Sequence, residues 1–161
     1  MAYEDEDDDF GMDSEDLPDD ELRREIENRH RKARQHPLAL HNMEIANTLL
    51  VLLKYPKTED DLITSHIELI TESFNMIKVK LYSALRSGSY IVCMQNASII
   101  RPHADYLLLS SHTLNSLNCF DKGHVSVFRD EMVEFQQLFK DWDKEIKEMD
   151  KEDFEDEWGL F

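Results

Sequence analysis

The stretch 125–149, VSVFRDEMVEFQQLFKDWDKEIKEM, decides the fold class. Val125, Phe128, Met132, Phe135, Phe139, Trp142, Ile146 and Met149 follow one another at alternating steps of three and four. That spacing is an a/d seam, the pattern of a helix packed lengthwise against other helices. Working back along the chain, the same period recurs. Tyr90, Cys93, Ala97, Ile100, Ala104, Leu107, Ser111 and Leu114 form a seam over about 89–118. Ile63, Ile67, Ile70, Phe74, Ile77, Leu81 and Ala84 form another over about 58–87.

The segment 37–54 carries two adjoining stripes. One is Ala39, Met43, Ala46, Leu50 and Leu53; the other is Leu38, Ile45, Leu49 and Leu52. So wide an apolar face predicts contact with more than one neighbour. Pro37 suits a first helical position. Thr58, with Asp61 three residues on, is the expected N-cap of the next helix, and Gly88 the expected left-handed cap at its end. Pro102 lies inside the third seam and should kink that helix without breaking it, because the period holds on both sides. Ala97, Ala104 and Ser111 fall seven apart, which predicts a close approach to a neighbouring helix.

Short connections between such helices predict an all-α, antiparallel up-down-up-down four-helix bundle, with helices at about 37–54, 58–87, 89–118 and 124–150. Residues 19–36 form a charged pre-helix with acids leading and bases trailing, as the helix dipole prefers. The first bundle helix is shorter than the others, about 27 Å against about 40 Å at 1.5 Å per residue. The pre-helix is expected to cover the difference, or else that end self-associates. Residues 1–18 and 151–161 read as acidic tails, the first too poor in apolar residues to offset chain entropy.

Charge sharpens this division. The chain of 161 residues has a formal net charge of −17. Residues 1–21 contribute −12, residues 22–36 contribute +4, the body 37–140 only −2, and residues 141–161 contribute −7. Such a chain repels nucleic acid and anionic lipid as a whole. The longest apolar run, Leu49–Leu53, is far below a membrane span. The acidic N-terminal segment is unlike a secretory leader. Two cysteines, Cys93 and Cys119, make neither a disulfide framework nor a zinc cluster, and a cytoplasmic setting is expected.

Chemical motifs are sparse. A di-iron carboxylate bundle needs paired Glu-x-x-His motifs; the single Glu27–His30 occurrence lies outside the four seams. No cofactor is expected. His66, His112 and His124 all fall toward one end of the bundle, where three imidazoles would suit zinc; separate surface or capping histidines explain them more simply, because a shared end does not make side chains face one another. Arg23, Arg24, Arg29, Arg31, Lys32 and Arg34 form the one basic stretch. It suits nucleic acid, an acidic partner, or the solvated side of a helix neutralised by the acidic segment before it.

The last residues carry the sharpest functional hint. Phe154, Trp158, Leu160 and Phe161 stand among carboxylates. Aromatics of this kind anchor in a partner's apolar pocket while the acids meet its basic rim. The alternative is that they fold back on the bundle as a clasp. This segment resembles the acidic tip of bacterial single-stranded-DNA-binding proteins, a likeness confined to these residues.

His36-Pro37-Leu38, Asn96-Ala97-Ser98-Ile99-Ile100-Arg101 and Trp158-Gly159-Leu160-Phe161 together resemble a family of small acidic helical proteins of Bacteroidota; the resemblance brings no activity with it. More remotely, the topology resembles the four-helix-bundle proteins of ribosomal-RNA intervening sequences and the accessory proteins of diversity-generating retroelements. Those relatives imply ring-shaped oligomers and, for the retroelement protein, nucleic-acid binding through a basic body that this chain lacks. The functional expectation is a non-enzymatic interaction or assembly module, self-associating or docked to a protein partner through its tail. The alternatives are a nucleic-acid-binding accessory protein using 23–34 and a metal-binding helical-bundle enzyme.

Overall fold

A computed structural model describes residues 20–58 and 60–151. Among them the regular structure is wholly helical: α1 (Asp20–Gln35), α2 (Pro37–Lys54), α3 (Asp61–Arg86), α4 (Tyr90–Leu117) and α5 (Lys122–Lys147). The local chemistry explains each start. His36 caps α2, its Nδ1 accepting the Leu38 N–H at 3.2 Å, and Pro37 follows at the first helical position. Ser89 caps α4, and Asp121 caps α5 by accepting the His124 N–H at 2.9 Å.

Two caps differ from expectation. α3 is capped by Asp60, which accepts the Ile63 N–H at 2.9 Å, and Thr58 instead turns its hydroxyl to the Cys119 sulfur. A carboxylate at that position serves both the orphan N–H groups and the helix dipole. The left-handed residue is Asn118 (φ 53°) after α4, whereas α3 ends on Ser87 in extended conformation. Asparagine tolerates that region better than other non-glycine residues. α4 runs through Pro102 unbroken.

The expected seams form the interior. Ile63, Ile70, Phe74, Ile77 and Leu81 from α3 meet Cys93, Ile100, Leu107 and Leu114 from α4, and Phe128, Met132, Phe135, Trp142 and Ile146 from α5, all buried. The Cys93 thiol packs as a small hydrophobe; burial pushes its ionisation up, and it donates to the Ala84 carbonyl at 3.4 Å. Phe120, in the α4–α5 connection, is 1 % exposed and plugs one end.

α4 packs extensively on α3 and α5, and α2 on α5, while α2 touches α3 only slightly. The stripe of Leu38, Ile45, Leu49 and Leu52 is buried; of the other stripe Ala46 and Leu53 pack against the core, whereas Met43 and Leu50 face solvent, against expectation. α2 meets α5 above all and touches α1 and α3 less, so its wide face does contact more than one neighbour. α1 lies against the end of α3: Ala33 is buried, His30 bonds Arg86, and the Arg29 guanidinium sits beside Gly88.

Candidate interaction surfaces

α2 turns a largely apolar face outward. Leu40, Met43, Leu50 and Val51 are 50, 63, 70 and 53 % exposed. At about 100° per residue they share an arc of roughly 100°. Exposed Asn47 lies within that arc and Lys54 closes its C-terminal end, so the apolar residues form two pairs about two turns apart with one amide between them.

A second surface is concave. Between α4 and α5 runs a groove of about 550 Å³. Met94, Ala97, Ala104 and Leu108 line it from α4, and Met132, Phe135 and Phe139 from α5. Ala97 and Ala104 belong to the small-residue stripe. At Ser111 that stripe does meet α5 closely, its hydroxyl accepting from Arg129 Nε at 3.3 Å. At Ala97 and Ala104 it lines a slot, with Phe135 and Phe139 of α5 on the other side. Phe135 and Phe139 lie 6.4 Å apart, and Phe139 meets Trp142 edge-on at 5.5 Å. The rim carries Arg101, Asp105, Lys140, Asp143 and Lys147. Asp105 approaches Arg101 at 4.0 Å and Asp143 holds Lys147 at 2.5 Å; among the described residues Lys140 makes no ion pair.

A buried polar cluster between α2 and α5 escaped the sequence reading. His41 Nε2 donates to the Glu131 carbonyl at 2.7 Å, and Nδ1 meets a Glu44 carboxylate oxygen at 2.8 Å. Thr48 donates to Glu131 Oε1 at 2.8 Å. Burial opposes a charged ring here, yet the Glu131 carbonyl, the Glu44 carboxylate and the nearby Glu134 outweigh it, and the His41 pKa is raised. With acceptors at both nitrogens, the doubly protonated ring donates on both sides, which is the form this clip favours. The available signal was the spacing of His41, Glu44 and Thr48, polar residues at helical steps beside the buried stripe.

The residues singled out from sequence are distributed as follows. Phe154, Trp158, Leu160 and Phe161 lie outside the described residues. Arg23, Arg24, Arg29, Arg31, Lys32 and Arg34 are all exposed on α1. Arg23, Arg24, Arg31 and Arg34 share an arc of about 100°, with Glu27 inside it, while Arg29 and Lys32 point elsewhere. Arg29 pairs with Glu25 at 2.5 Å. His66, His112 and His124 are not brought together: His124 pairs with its own capping Asp121 at 2.9 Å, and among the described residues no group of three or more His, Cys, Asp or Glu is placed to hold a metal ion. That pairing, with the N–H bond from His124 foremost, holds the Asp121 carboxyl below its usual range. Among the described residues no helix is long and apolar enough to cross a membrane.

Compared with models of protein families, with curated proteins and with solved structures, the chain matches none.

Proposed function

We propose that this chain is a non-enzymatic interaction and assembly module. In this reading α2 to α5 form an antiparallel up-down-up-down four-helix bundle, with α1 as an extension along α3. The short α3–α4 and α4–α5 connections, between helices that pack on each other, support that arrangement. Two free thiols suit the reducing cytoplasm.

The observation that carries the reading is the outer face of α2. A helix covered on one side normally turns charge outward. Four large apolar residues gathered on one exposed arc are instead the mark of association. Asn47 among them does not oppose this, since one polar residue in an apolar helix seam sets the register of association at some cost in strength. Residues 152–161 add a second contact, aromatics set among acids and suited to a protein pocket with a basic rim. Light scattering tests the first part. The full chain is expected at a multiple of its 19.0 kDa mass, and the M43E/L50E variant at one copy. A pull-down with the full chain, M43E/L50E and a chain lacking 152–161 tests the second. A monomeric full chain, with one partner set common to all three proteins, would end the proposal.

A second reading, a nucleic-acid accessory protein, is favoured by the exposed arc of Arg23, Arg24, Arg31 and Arg34. Titration with single- and double-stranded nucleic acid across salt decides it, since phosphate contacts weaken steeply as salt rises.

A further inference from the structure

The pocket expected of a partner for residues 152–161 is apolar with a basic rim, and the chain carries such a pocket itself. We propose that the α4–α5 groove is the seat of this chain's own residues 152–161, docked in cis.

Three observations converge. The first is shape. The groove floor carries the stacked rings of Phe135 and Phe139, with Ala97 and Ala104 of α4 opposite, and Trp142 backs Phe139 from outside the groove. A volume of about 550 Å³ lies within the range of sites that enclose ligands, roughly 300–1,000 Å³. It takes aromatic side chains of the kind supplied by Trp158 and Phe161, which pack offset or edge-on against other rings.

The second is charge. Residues 152–161 carry five carboxylates and no base. The rim offers Arg101, Lys140 and Lys147, and Lys140 has no partner among the described residues. Asp105 and Asp143 on the same rim are engaged with Arg101 and Lys147, which tempers their repulsion.

The third is reach. After α5 the chain has already turned toward α4, since Lys151 Nζ lies 5.7 Å from the centroid of the Tyr90 ring. Tyr90 begins α4, and Met94, one turn on, is the near lip of the groove. From Met94 to Leu108 the groove runs about 21 Å at 1.5 Å per residue. Ten extended residues span about 33 Å. A tether this short also raises the local concentration of the segment far above that of any competing copy.

The seat does not depend on the proposed interaction role. It adds to that role a consequence, that a partner for the tail must first win it from the groove.

The experiment uses the full chain. Trp158 is read as the difference in fluorescence and acrylamide quenching between the native chain and Trp158→Phe, because buried Trp142 contributes equally to both. Trp158 is expected to emit to the blue of free tryptophan and to be quenched several-fold less. Ala104→Leu, which fills the slot, and the double variant K140E/K147E, which reverses the exposed rim, should each return it toward free behaviour. Thermal melts of both variants confirm that they fold, and high salt should reproduce part of the K140E/K147E effect. Trp158 as accessible as free tryptophan in the native chain would overturn the proposal. So would protection that neither groove variant relieves, or protection that grows with protein concentration, which would mark a second copy as the occupant. None of these readouts depends on self-association through α2 or on partner capture, so the two proposals fail separately.

Discussion

The two sides of α5 are built on different principles. Toward α2 it is held by directed polar bonds, His41 to the Glu131 carbonyl and Thr48 to the Glu131 carboxylate. Toward α4 it presents Phe135 and Phe139 to a helix of small residues. Directed bonds fix register, because a one-turn slip leaves the half-buried Glu131 without its donors, at roughly 1–3 kcal/mol per unpaired group. Small residues against rings fix proximity only, so that side closes where Arg129 donates to Ser111 and stays open at Ala104. One helix can therefore lock on one side and stay open on the other.

The severest break is common to both sides. Phe128 is fully buried in the shared interior. Phe128→Ala should cost about 3–5 kcal/mol in urea unfolding; a loss below about 1 kcal/mol would show that the helices do not share one core. Next comes the α4 side taken alone. Ser111→Leu overpacks the closed end and should cost about 1–3 kcal/mol, whereas Ala104→Leu, at the open slot, should move stability by no more than about 0.5 kcal/mol. Equal costs at the two positions would erase the contrast between closed end and slot.

The α2 side has its own signature, in pH. The folded-state pKa of His41 is raised above the ordinary 6.5, so the native state holds this proton more tightly than the unfolded chain does. Its stabilisation is complete below 6.5 and is lost as pH rises through the folded value. The difference in stability between the native protein and His41→Gln should therefore shrink from acid toward neutral and alkaline pH. Charge-assisted bonds of this kind are worth about 1.5–3 kcal/mol at most. A difference that does not change with pH would mean that the native and unfolded states hold the His41 proton equally, and one that grows with pH would mean that the native ring is kept neutral. The smallest effect belongs to α1, remote from both sides of α5. Glu25→Gln removes the exposed pair with Arg29 and should cost no more than about 0.5 kcal/mol, less in high salt.

Much of this architecture was legible in the sequence because it depends on period. The seams of α3, α4 and α5 predicted their buried residues almost position by position, since only one face of a long helix can meet the interior. α2 was harder. Both of its stripes are apolar, and only the placement of its neighbours decides that Leu49 goes in and Leu50 out. Caps were misread where two candidates adjoined, as with Thr58 and Asp60, because the choice turns on which residue is extended. The polar clip showed only by half: His41, Glu44 and Thr48 stand at helical steps beside the buried stripe, but the His41 bond to α5 goes to the Glu131 backbone carbonyl, which no side-chain pattern advertises. The slot likewise follows from tertiary spacing. Alanines at seven-residue intervals permit contact or vacancy, and only the tertiary arrangement of α4 and α5 decides between them.

At the base of the molecule the Lys57 N–H donates to the Cys119 carbonyl at 2.7 Å, joining the connection after α2 to the one after α4. Everything between those two residues is the α3–α4 hairpin. Closing so long a loop from the open chain is entropically costly, but once the hairpin has zipped, its two feet already stand side by side. The bond is then closed with little further loss of freedom, and it holds the connection after α2 beside the connection that leads into α5.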